Sequence, residues 1–86
     1  MNDEWTPSAA EEVAAVLGIV LGEKHWQVIT ESREFIARHG RAPSLARVSA
    51  TCGVALEELR KLFPGGAEEV LARLAGAPEL ERRKAS

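Results

Sequence analysis

The spacing of glycine is what most constrains this chain. Gly18, Gly22, Gly40, Gly53, Gly65, Gly66 and Gly76 are all of its glycines, and each falls between segments whose apolar residues recur at helical spacing. The fold must therefore be assembled from short helices, the longest lying between Gly22 and Gly40. No segment shows the alternating pattern of a strand.

The first helix is expected over Ser8–Leu17, with Ser8 as cap and Glu11 completing a capping box. Val13, Val16 and Leu17 would share its apolar face, Gly18 would stop it, and Ile19-Val20-Leu21 would lie down on the core. The second is expected over Glu23–His39, with Trp26, Val28, Ile29, Phe35 and Ile36 forming a broad stripe and Gly40 closing it. Ser44 should cap a third helix carrying Leu45, Val48 and Cys52. A fourth, Ala55–Phe63, would turn Leu56, Leu59, Leu62 and Phe63 inward, and Pro64 must end it because the residue before a proline is pushed out of helical geometry. The last, Ala67–Ala75, offers Val70, Leu71 and Leu74. The expected fold is all-α: a compact bundle of about five short helices in one domain, residues 1–78, followed by a flexible arm, 79–86. Ser44 to Phe63 has the spacing of a helix-turn-helix-like unit.

Eighty-six residues suffice for one small core. No apolar run approaches the roughly 20 residues of a membrane span, and the acidic opening Met1-Asn2-Asp3-Glu4 is unlike a secretory signal, so a cytoplasmic location is expected. Charge is uneven along the chain. Residues 1–32 hold six acids and Lys24, whereas 33–63 hold Arg33, Arg38, Arg41, Arg47, Arg60 and Lys61 against Glu34, Glu57 and Glu58. A basic middle suits phosphates or an acidic partner surface, with Arg47, Arg60 and Lys61 the contacts expected on the helix-turn-helix-like unit.

Little in the sequence supports catalysis. No nucleophile, base and acid recur together, and Phe63-Pro64-Gly65-Gly66 lacks the lysine of a nucleotide loop. No cofactor is expected. The single cysteine, Cys52, can form neither an internal disulfide nor a four-cysteine zinc site, and His25 and His39 lie too far apart in sequence to supply a metal centre. On the apolar side of a short helix, Cys52 should behave as a small inert hydrophobe.

Three stretches carry a resemblance. Trp5 followed by Ala10-Glu11-Glu12-Val13-Ala14, the run Gly18 to Ile29 containing Glu23-Lys24-His25-Trp26, and Leu62-Phe63-Pro64-Gly65-Gly66 with Leu74-Ala75-Gly76-Ala77-Pro78 after it together resemble the DsrC/TusE sulfur-carrier family. That family is also called the gamma subunit of dissimilatory sulfite reductase. The resemblance implies a mainly helical fold with a C-terminal arm whose cysteine carries sulfur, and a second cysteine in the last helix. Matched motif by motif, those two cysteines fall here on Arg83 and Ala72. The expectation is therefore a non-enzymatic binding or regulatory protein of sulfur metabolism, unable to carry sulfur on its arm. Its partner would be a sulfite reductase, a sulfurtransferase or a related redox enzyme. It would dock through Phe63, Pro64, Gly65 and Gly66 and through the arm residues Arg82, Arg83 and Lys84. Two alternatives stand beside this: a DNA-binding regulator using the helix-turn-helix-like unit, and a carrier working through Cys52.

Overall fold

A computed structural model describes residues 5–77. These form five helices and no strand: α1 (Pro7–Leu17), α2 (Glu23–His39), α3 (Leu45–Cys52), α4 (Leu56–Leu62) and α5 (Ala67–Ala75). The arm positions Arg82, Arg83 and Lys84 lie outside the described residues.

Helix ends follow local chemistry. The α1 cap is Thr6 rather than Ser8: its hydroxyl accepts from the Ala9 amide, and Pro7 takes the first helical position, where its missing N–H costs nothing. The expected box between Ser8 and Glu11 does not form, because Ser8 already lies inside the helix. Ser44 caps α3 as expected, accepting from the Arg47 amide. Ala55 and Phe63 flank α4 rather than belonging to it.

The buried surface of α1 is made by alanines. Ala10 and Ala14 are shut off from solvent and Val13 is half-buried, whereas Val16 is 86% exposed. Small side chains let α1 lie close to α5, which leaves the longer Val16 and Leu17 on the rim. Val20 likewise points outward at 88% exposure, while Ile19 and Leu21 on either side of it pack on the core. Leu59 in α4 and Phe63 just after it are fully buried, but Leu56, one turn before Leu59, is 38% exposed and does not turn fully inward as its spacing implied.

Helix α5 is the centre of the molecule. Ala67, Val70, Leu71, Ala72, Leu74 and Ala75 are all buried, because α1, α2 and α4 each pack against it. Its neighbours contribute Val28 and Ile29 from α2, Val48 from α3, and Leu59 and Phe63 from the α4 end. Fully burying a side chain such as Leu71, Leu74 or Phe63 contributes roughly 1.5–3 kcal/mol each, so most of this small domain's stability depends on α5 staying in place.

Candidate docking site around the double-glycine loop

The loop between α4 and α5 is held from beneath. The helical hydrogen bonding of α4 runs on to Phe63, whose amide donates to the Leu59 carbonyl at 3.0 Å as the helix ends before Pro64. Phe63 itself is 0% exposed. Its expected inward orientation holds, and its expected place among the contact residues does not: it is the buried anchor of the loop, and Pro64, Gly65 and Gly66 are the exposed part. Gly65 and Gly66 have φ of +87° and +98°, backbone that side chains disfavour, so the turn into α5 needs this glycine pair.

A histidine fixes the loop to α2. The Gly22 amide donates to His25 Nδ1 at 3.1 Å, which caps the start of α2. That bond leaves Nδ1 bare and places the proton on Nε2, so Nε2–H donates to the Leu62 carbonyl at 2.9 Å. The same ring meets Phe63 edge-on, with centroids 5.2 Å apart and planes at 82°. His25 therefore has a structural task that occupies both nitrogens.

A second anchor closes the far end of α5. The Trp5 indole N–H donates to the Leu74 carbonyl at 2.7 Å. Arg33 lies 4.6 Å over the Trp5 ring and donates from Nη1 to the Ala75 carbonyl at 2.9 Å. A cation and an indole thus satisfy carbonyls that a helix C-terminus leaves without partners. This clamp was not anticipated. Its sequence signal was Arg33 standing between Ile29 and Ile36 in the apolar stripe of α2, a place where a charge needs a specific partner.

The remaining expected contacts are divided. Arg60 and Lys61 occupy the exposed last turn of α4, two to four residues before the loop. Arg47 is not with them: it lies over the Phe35 ring at 5.4 Å, in a cleft between α2 and α3. The turn from α3 to α4 is well built, with the Ser49 hydroxyl donating to the Val54 carbonyl at 2.6 Å. The first turn of α4 nevertheless carries Glu57 and Glu58, and Lys24 of α2 pairs with Glu58 at 3.2 Å.

The positions that the resemblance assigns to the family's cysteines are Ala72 and Arg83. Ala72 is buried in α5 beside Ile36, Ala75 and Ala77, and Arg83 lies outside the described residues. Cys52, the last residue of α3, is half-buried. Burial pushes its thiol pKa up, and the charge of Glu31 pushes it further. Among the described residues no group of three or more His, Cys, Asp or Glu side chains could hold a metal ion, and no helix is long and apolar enough to cross a membrane.

The structure is a five-helix domain with an anchored Phe-Pro-Gly-Gly loop and a tryptophan-clamped last helix, and sequence comparison gives its family. Residues 1–82 match the family described as DsrC like protein. Sulfurtransferase TusE of Sodalis glossinidius is 31% identical over 83 residues, covering 88% of this chain and 77% of that one. Sulfurtransferase TusE of Salmonella typhimurium shows the same identity, with 88% and 76% covered. The TusE homolog of Haemophilus influenzae is 27% identical over 85 residues, with 91% and 78% covered. No solved structure matches. The chain belongs to the DsrC family.

Proposed function

We propose that this chain is a non-catalytic member of the family that grips a protein partner of sulfur metabolism without carrying sulfur. The partner class is the one to which the resemblance points: a sulfurtransferase, a sulfite reductase or a related redox enzyme, met in the cytoplasm. Pro64, Gly65 and Gly66 form the contact loop, Phe63 sets its position from below, and Arg60 and Lys61 add charge beside it. The arm residues Arg82, Arg83 and Lys84 add positive charge that an acidic partner would meet.

One observation carries this reading. The only cysteine in the sequence is Cys52, which is half-buried and whose thiol is held above its ordinary pKa. Persulfide transfer needs an accessible thiolate, while Ala72 and Arg83 occupy the positions where the family keeps its cysteines. Intact-protein mass spectrometry after incubation with a polysulfide donor tests the chemistry: no mass gain of a sulfur atom is expected, and a persulfide on Cys52 would overturn the proposal. Docking is tested by affinity capture followed by identification. Recovery of a sulfurtransferase or sulfite reductase, weakened on reversing Arg60 and Lys61 to glutamate, is expected. Capture that never includes such an enzyme would remove the sulfur connection.

A further inference from the structure

Two arginines and a histidine gather round one aromatic ring where α2 gives way to α3. Arg47 lies 5.4 Å and Arg41 6.0 Å from the Phe35 centroid, and His39 stacks on the same ring at 4.2 Å. Arg38 and Arg47 both line the cleft that Phe35, His39, Pro43, Val48 and Thr51 enclose. Like charges brought together repel one another, and an arginine stacked on an aromatic face keeps its N–H fork free for an oxygen partner. Carboxylates stand close by: Glu31 and Glu34 also line the cleft. Yet among the described residues neither Arg38, Arg41 nor Arg47 forms an ion pair, the only one being Lys24 with Glu58. Glu31 lies toward the opposite end of α3, where its charge acts on Cys52.

The cleft has about 120 Å³ of free volume. That is several times what one water needs and well below the roughly 300 Å³ or more of a drug-sized ligand site. A tetrahedral oxyanion fits this range. At the floor, Ser32 is 1% exposed, and its hydroxyl has no hydrogen-bond partner. An unpartnered buried hydroxyl costs stability, and an occupant reaching the floor, directly or through a water, would satisfy it.

We propose that the α2–α3 cleft is an oxyanion site, binding phosphate or sulfate, or the phosphate of a small ester whose remainder lies outside the mouth, with Arg38 and Arg47 as its principal donors and Arg41 supporting them across Phe35. The site is separate from the double-glycine loop and does not depend on the docking proposal. Glu34 on the rim keeps the affinity modest and the site exchangeable.

Titration of the full chain by ¹⁵N–¹H correlation spectra tests this, using inorganic phosphate, sulfate and glycerol phosphate, with chloride at matched ionic strength as reference. Saturable shifts confined to Phe35, Arg38, Arg47, Val48 and Thr51 are expected with phosphate and sulfate. Arg47→Gln should weaken binding at least about tenfold, the scale of one lost bidentate contact, and Arg38→Gln provides an independent second variant. Arg73→Gln, on α5 and outside the cleft lining, should leave binding within about twofold. Glycerol phosphate binding as phosphate does assigns an ester as the natural occupant; binding of the free anions alone assigns an inorganic one. Shifts that never saturate, that spread over the whole basic surface, or that persist unchanged in folded Arg47→Gln and Arg38→Gln proteins would overturn the proposal.

Discussion

Replacing Gly76 with alanine separates the clamp at the end of α5 from ordinary backbone strain. Gly76 has φ +70°, and a Cβ built there would stand 2.8 Å from Trp5 Cδ1 and 3.6 Å from Arg33 Nη1. Gly40 has nearly the same φ, +73°, but a Cβ there would meet nothing within 4 Å. Holding alanine in left-handed geometry costs about 1–2 kcal/mol at either site. At Gly76 the methyl must also displace the indole. That threatens the 2.7 Å bond to Leu74, worth about 1 kcal/mol, and the stacking of Arg33, worth about 0.5–1 kcal/mol. Gly40→Ala should therefore cost about 1–2 kcal/mol and Gly76→Ala about 2.5–4 kcal/mol, a large share of the stability of so small a domain. Urea unfolding followed by far-ultraviolet circular dichroism measures both without relying on the perturbed tryptophan. In a Trp5→Ala background the excess should vanish, since the atom that the methyl strikes is gone. Equal costs for the two glycine variants, or an excess surviving the loss of Trp5, would refute the clamp.

His25→Ala removes the partner of the Gly22 amide and of the Leu62 carbonyl together with the edge contact on Phe63, and should destabilise by about 2 kcal/mol in the same urea assay; a cost under about 0.5 kcal/mol would show that the ring is not holding the loop. For Cys52, the folded thiol pKa is raised, so the folded chain keeps its proton to higher pH than the unfolded chain does. Its stabilising share is complete below the unfolded thiol pKa and is lost as pH rises through the folded one. Unfolding free energy should fall across that alkaline window in the wild type more steeply than in Cys52→Ser, and alkylation of the native thiol should need higher pH than that of a free thiol. Identical pH profiles for the two proteins would count against the burial described for this side chain.

The helices were legible because glycine marks their limits and the chain is too short to override them. All five were placed within two residues of their observed ends. Inward faces were read less well, for a geometric reason. Periodicity identifies which residues share a side of a helix but does not say how close the neighbouring helix comes. In α1 the alanines sit where the approach to α5 is tightest, so Val16 is left outside although it is the larger apolar residue. Leu56 stands at the start of a seven-residue helix, where its neighbours leave it 38% exposed. For Phe63, spacing gave the inward face correctly, while the motif match grouped it with the contact residues Pro64, Gly65 and Gly66, because a motif match carries no information on burial. Arg47 was grouped with Arg60 and Lys61 by its place on a helix-turn-helix-like unit, whereas Phe35, 12 positions earlier, is what holds it. Contacts of that range depend on helix packing that one sequence does not display.

The two anchors on α5 come from one helix, and that bears on how a docking function can persist without sulfur chemistry. His25 and Arg33 are eight residues apart on α2, roughly 12 Å at 1.5 Å per residue. The first holds Leu62 and Phe63 before α5 begins, and the second holds Ala75 where it ends. Helix α5 is buried along most of its length between them, so α2 acts as a strut that fixes both the double-glycine loop and the direction in which the chain leaves the domain. None of these contacts involves a cysteine. Ala72 nevertheless packs against Ile36 of α2 and Ala75, so a larger side chain at that position must be accommodated in the same α2–α5 seam that the two anchors hold.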